Sequence, residues 1–234
     1  GLWRPQVAQI DVTRMGPAYE RVVELQGGII HRGRPVRRFL VEENRVIGVE
    51  TSKGKVHADW VINTAGAWGG LDPFLPWEIP CLPVRGQILQ FVTQQPLVER
   101  VVRSVRAYVV QRTPERLIAG TTVEYVGFDK SVTEEGKRAI HRGAGELCSR
   151  LRQIPPETAW AGLRPDTPDH LPILGTTPLE GLLVAVGHFR NGILLAPLTG
   201  RLIAELALQR RCSLNLSPFR LARFLANSTQ DVVK

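Results

Sequence analysis

Residues 181–197 read GLLVAVGHFRNGILLAP: an apolar run, a break with a glycine at each end, and a second apolar run. Leu182–Val186 is short, branched and uncharged, the pattern of a buried strand. Leu195–Leu208 has the length and spacing of an apolar helix, with Pro197 expected in its first turn, where N–H groups lack intrahelical partners. A buried strand passing directly into an apolar helix restricts the chain to folds in which helices cover a sheet. Free backbone N–H groups and the positive end of the helix dipole converge at such a junction, which suits negative charge on a ligand. Gly192 would let the backbone approach a flat or anionic group, although an ordinary strand-to-helix turn explains the same residues.

Upstream, Met15, Ala18, Tyr19, Val22 and Leu25 fall at helical spacing between Thr13 and Gln26, and Gly27 and Gly28 supply a stop. A short strand is expected at Ile29–His31. Extended runs follow at Val36–Glu42, Arg45–Thr51 and Lys55–Asn63, separated by turn residues Glu43 with Asn44 and Lys53 with Gly54, which reads as an antiparallel meander. Leu71–Pro83 holds four prolines in thirteen residues and reads as a connector. Beyond it, Gln87–Thr93, Tyr108–Arg112 and Arg116–Thr122 are strands of a second sheet. Ser131 with Glu134 has the form of a capping box, and Ile140, Ala144, Leu147 and Leu151 share a helix face weakened by Gly143 and Gly145. A second proline-rich stretch, WAGLRPDTPDHLPILG, leads back to the opening strand.

The chain has 234 residues, 43% of them hydrophobic, enough for one large core or two modest ones. Its net charge is +8, yet the arginines are scattered, with no basic helix and no stacking motif, so nucleic acid is not an expected partner and a basic binding module is the weakest reading. No apolar run reaches membrane-spanning length, and the first residues do not read as a signal peptide. Cys81, Cys148 and Cys212 are odd in number and widely spaced, without CxxC, which suggests neither metal nor disulfides and fits a reducing, cytoplasmic setting. Arg190 beside the apolar GILLAP is expected to be paired or to face a ligand, because an unpaired buried guanidinium is costly. Arg164, set between Leu163 and Pro165, has the planar fork that grips a carboxylate, and a structural salt bridge suits it equally. Tyr108 alternates out of its strand, as many sheet residues do. No His, Asp and Ser constellation is visible, and the histidines are individually better read as structural or surface residues.

The strings VINTAGAW, PVRGQ, WAGLRPDTPDHLPILG and GHFRNGILLAP, in this order and at these separations, resemble the FAD-dependent D-amino-acid oxidase superfamily, and within it the glycine oxidase branch linked to thiamine biosynthesis. The resemblance implies a mixed α/β fold in which an incomplete Rossmann-like FAD-binding domain is interleaved with an antiparallel-sheet substrate domain. It places residues 1–82 and 161–210 in the first domain and 83–160 in the second, with 211–234 as a tail. It implies FAD, held by main-chain contacts at Val36 and by the segment His188, Phe189, Arg190, Asn191, Gly192, Ile193 and Leu194, with the loop Thr64–Trp68 close to the dinucleotide. It implies that Arg164 and Arg190 hold the carboxylate of a small amino acid, that Tyr108 lines the same pocket, and that the amine is oxidised to an imine with release of hydrogen peroxide. The alternatives are a non-catalytic fragment of this fold and a flavin-dependent D-amino-acid dehydrogenase; a homo-oligomer is compatible with each.

The sequence departs from that pattern at Gln111, which replaces a common proline, and more consequentially in two further places. The family opens with a strand, GxGxxG and a helix that bind the FAD pyrophosphate, and here no such motif occurs, so this polypeptide is expected to bind FAD poorly unless the N-terminal segment is supplied. His170 stands where the pattern commonly has glycine, so a positive φ at that turn would be mildly strained.

Overall fold

In the computed structural model, residues 6, 8–70 and 75–225 are described. In chain order they form helix α1 (Val12–Leu25), strands β1 (Val36–Glu42), β2 (Arg45–Thr51), β3 (Gly54–His57), β4 (Val61–Asn63), β5 (Leu82–Val92), β6 (Val102–Arg103), β7 (Tyr108–Thr113) and β8 (Arg116–Gly120), helix α2 (Glu134–Leu147), strands β9 (Thr158–Asp166), β10 (Ile173–Thr176) and β11 (Leu182–Val186), and helices α3 (Gly192–Ala207) and α4 (Ala222–Leu225). The fold is mixed α/β with both antiparallel and parallel pairing. The chain divides into two compact units, one formed by residues up to Ile30 with Val84–Leu163, the other by His31–Pro83 with the chain from Arg164 onward.

The first unit is built on the sheet β6-β7-β8-β5-β9. Leu89, Phe91, Val109, Leu117 and Ala119 project from its strands onto Ile140 and Ala144 of α2 and onto Leu151, all at 2% exposure or less, and burial of each of the larger side chains contributes roughly 1.5–3 kcal/mol. Gly143 and Gly145 are packing devices in this helix: a Cβ at Gly143 would lie 2.7 Å from Ala107 Cβ, and one at Gly145 would lie 2.7 Å from Arg152 Cγ. The helix cap is Thr133, whose hydroxyl accepts from Gly136 N at 3.1 Å, so the expected Ser131 capping box is not the one used. Ser131 instead turns back onto Asp129, and together with Glu124 they enclose Arg85 of the PVRGQ string, 4% exposed and bonded through Nε to Glu124 Oε2 at 2.8 Å. The wholly buried Gln87 completes this network by donating to Glu124 Oε1 at 2.8 Å and accepting from Thr133 N at 2.9 Å. The proline-rich stretch around Arg164 is strand β9; it lies at the sheet edge, the position in a sheet where proline is tolerated. α1 starts from Asp11, whose carboxylate accepts from Thr13 N at 3.0 Å, and ends at Gly27 with φ +82°. None of its residues is buried, and Tyr19, Val22, Val23 and Leu25 are 45–65% exposed.

The second unit holds two small sheets. β1-β2-β3 is the expected meander, with β1 and β2 at the expected bounds. No strand forms at Ile29–His31, which precede a turn at Arg32 and Gly33. The run Lys55–Asn63 is not one strand: it breaks at Ala58 and Asp59, and β4 leaves the meander to lie parallel to β11, with Val61 N donating to Gly181 O at 2.8 Å. β11 pairs antiparallel with β10, giving the order β10-β11-β4, so β4 is a terminal strand. α3 covers this sheet through Leu202 and Ile203 against Leu174, Leu183 and Ala185. It begins at Gly192, which puts Pro197 in the second turn rather than the first.

Candidate functional site

β4 and β11 run parallel, so their carboxyl ends emerge on one side, the position at which open α/β sheets take ligands. β4 passes into a single 3-10 turn, Gly66–Trp68, which the side chain of Asn63 holds by donating from Nδ2 to Gly69 O at 2.9 Å and accepting from Ala65 N at 3.1 Å. Cys81 lies 8% exposed beneath this turn with its Sγ on Gly66 O at 3.2 Å, and burial pushes its thiol up to about 11, so it stays protonated and inert.

β11 passes into the turn Gly187–Asn191. Gly187 has φ +78°, and a Cβ there would lie 2.4 Å from Thr167 Cγ2, so two independent constraints require glycine. Phe189 follows at φ +47°, with its N–H on Pro165 O at 2.6 Å. Asn191 then caps α3 through its backbone, and Leu195 N donates to Asn191 O at 2.9 Å. Gly192 sits at the first turn of a helix of 16 residues. His188 Nε2 hydrogen-bonds Thr199 Oγ1 at 2.9 Å, and burial lowers its pKa, which keeps the imidazole neutral.

Two cavities of about 570 Å³ each adjoin these turns. One is lined by Val36, Phe39, Asn63, Thr64 and Trp68, the other by His188, Gly192, Ala196, Thr199 and Gly200, and Ile62 and Thr64 line both. They therefore meet at β4, one bordered by β1 and the other by the first half of α3. Of the residues expected from sequence, Val36 thus borders one cavity and His188 and Gly192 border the other. Ile193 and Leu194 are 48% and 80% exposed at the start of α3.

The two arginines occupy neighbouring strands of backbone, because the Phe189 to Pro165 hydrogen bond joins the residues next to each. Arg190 is exposed, as are Ile193 and Leu194 of the apolar run that follows it at the start of α3. Arg164 is half-buried. Tyr108 belongs to the other unit, where its ring packs on Gly120, 2.8 Å from the position of a Cβ at that glycine.

Sequence reasoning missed the support of the turn. Asp166, 1% exposed, receives Nδ1 of His170 at 2.9 and 3.0 Å from its two oxygens, and the His170 ring stacks on Phe189 with centroids 5.4 Å apart and planes 25° from parallel. The spacing DTPDH holds the acid and the imidazole four residues apart, but only the turn brings Phe189 to them. His170 has φ +60°, so the positive φ that would strain a residue with a Cβ at this turn is present.

The model of the family described as FAD dependent oxidoreductase matches residues 1–206. The chain belongs to this family. Among its relatives, the glycine oxidase of Pseudomonas aeruginosa is 37% identical over 81% of the chain and 53% of the relative. The bifunctional protein ThiO/ThiG of Trichormus variabilis is 36% identical over 96% of the chain and 34% of the relative. The crystal structure of glycine oxidase from Geobacillus kaustophilus superposes with a TM-score of 0.82 at 31% identity, over 89% of the chain and 57% of that structure. The chain thus spans about half or less of the length of these relatives. The site fits part of a flavin dinucleotide: paired cavities around β4, backbone turns at the strand ends and the amino end of α3 suit a flat, partly anionic group. No helix among the described residues is long and apolar enough to cross a membrane.

Proposed function

We propose that this chain supplies the substrate-facing part of a glycine-oxidase-like flavoenzyme, which oxidises a small amino acid to its imine with dioxygen as acceptor and hydrogen peroxide as product. Bound FAD would supply the two-electron acceptor for oxidation at the substrate Cα. The observation that carries the reading is the convergence of the two glycine-bearing turns at the carboxyl ends of β4 and β11, beside the amino end of α3. In this reading Val36 meets the adenine side through its main chain, and the segment His188, Phe189, Arg190, Asn191, Gly192, Ile193 and Leu194 lines the flavin ring with backbone groups. Arg164 and Arg190 grip the substrate carboxylate and Tyr108 closes the pocket, so that catalysis rests on orienting Cα rather than on a general acid or base. The pyrophosphate-binding strand, glycine turn and helix come from polypeptide that these 234 residues do not contain. Three free cysteines fit a cytoplasmic setting.

A second reading, a non-catalytic piece of the same fold, is favoured by the uncovered apolar face of α1 and by the terminal position of β4. Flavin absorbance separates the two. A preparation that turns yellow and oxidises glycine on addition of FAD and the N-terminal segment supports the enzyme, and one that stays colourless and inactive supports the second reading. In the active protein Arg164→Ala should raise KM far more than it alters the flavin spectrum, and unchanged kinetics would remove Arg164 from the site.

A further inference from the structure

We propose that His170, clamped by Asp166 and stacked on Phe189, is a positioning residue that fixes the turn Gly187–Asn191. The turn carries two consecutive demands on its backbone, φ +78° at Gly187 and φ +47° at Phe189. Glycine meets the first without cost. Phenylalanine does not meet the second, since its Cβ crowds the neighbouring carbonyl in the left-handed region, so something outside the residue must hold it there. The backbone contribution is the hydrogen bond from Phe189 N to Pro165 O at 2.6 Å. The side-chain contribution is the face of the His170 ring.

That ring is itself held in place. A carboxylate only accepts, so the contacts at 2.9 and 3.0 Å assign a proton to His170 Nδ1 and direct it at both oxygens of Asp166. Asp166 is fixed in turn by burial and by Thr167 N, which donates to its Oδ1 at 2.9 Å. His170 also occupies a left-handed position, φ +60°, where glycine would be free of strain. Although its side chain is 60% exposed, His170 is held in this strained conformation by the two contacts it makes, one to a buried acid and one to the residue whose backbone is under the same strain. The consequence for flavin rests on the functional reading above: the residues held by this brace are those that would line the ring.

The test is a double-mutant cycle of His170→Gly and Phe189→Ala in this chain, read by amide hydrogen exchange at residues 189 and 191, whose N–H groups donate to Pro165 O and His188 O. Each single variant should speed exchange at both amides by about tenfold, the scale of one aromatic stack, while amides of β11 keep their protection. The double variant should be no faster than either single one, and Phe189→Tyr, which keeps a ring on His170, should exchange like the parent. Additive effects, or parental exchange in His170→Gly, would overturn the proposal. Exchange is measured without flavin, so failure of the cofactor reading leaves this outcome untouched, and failure of the brace leaves flavin binding to be judged by its own absorbance.

Discussion

Replacing Gly187 by alanine tests whether the turn after β11 is built on two separate constraints. An L residue held at φ +78° costs about 1–2 kcal/mol relative to glycine. The new methyl would also lie 2.4 Å from Thr167 Cγ2. Thr167 cannot easily withdraw: it is 1% exposed, its N–H donates to Asp166 Oδ1 at 2.9 Å, and its hydroxyl bonds Leu171 O at 2.7 Å and Asp169 Oδ1 at 3.0 Å. Overpacking of this kind costs about 1–3 kcal/mol. The sum, roughly 2–5 kcal/mol, falls on the second unit, so the assay must resolve the two units. Urea unfolding followed by exchange of β10 and β11 amides, with β7 and β8 as internal reference, reads the second unit alone. Gly33→Ala in the same unit is the control: Gly33 has φ +64° with nothing within 4 Å of a Cβ, so it should show the dihedral cost of about 1–2 kcal/mol without the overpacking. A loss below about 1 kcal/mol in Gly187→Ala would refute the argument, since neither the dihedral cost nor the overpacking would then be operating.

Other perturbations bear on different parts of the molecule. The Arg223 guanidinium donates to both oxygens of Asp169, at 2.7 and 3.0 Å, and these hydrogen bonds hold that carboxyl at about 2 against an ordinary 3.8. A depressed carboxylate stabilises the fold above its unfolded value, and that stability is lost as pH falls from about 4 towards 2. Acid unfolding of Arg223→Ala should therefore lose part of its slope between pH 4 and 2, and an unchanged slope would mean that the pair does not couple to folding. Gly200→Ala places a methyl where nothing lies within 4 Å in the interior of α3, so thermal unfolding should show a gain of up to about 1 kcal/mol from helix propensity. The half-buried Cys148 and Cys212 should react with a thiol reagent well before Cys81, whose thiol is pushed up to about 11 and buried; mass mapping of the labelled sites would reveal any reversal.

How much was legible in the sequence depends on how local the cause is. β1, β2 and β11 are legible at their observed bounds because the cause is local: turn residues flank β1 and β2, and β11 is a short uncharged run ended by glycine on each side. Tertiary pairing decided the rest. The run from Lys55 to Asn63 looks continuous, but Val61 pairs with the chain entering β11, more than a hundred residues later, and this draws β4 out of the meander. The prolines near Arg164 argue against a strand only for a central position, and β9 is an edge. At the site, a glycine at 187 is legible as a turn residue and the strain at His170 only through the glycine that the family pattern has there, whereas the exposure of Arg190 is set by where α3 begins at the surface.

The same division explains why the chemistry is harder to read than the fold. A backbone-built site leaves little trace in residue type: the groups that would meet a flavin here are N–H groups and carbonyls of turns, and what the sequence must specify is the conformation of those turns. Gly187, Phe189, Asp166 and His170 do so through two dihedrals, a buried carboxylate and a stacked ring, none of which resembles a catalytic motif. Side chains that hold a turn can therefore matter as much to such a site as the arginines that would touch the substrate. Mutating them should alter the geometry of the turn before it alters any charge in the pocket.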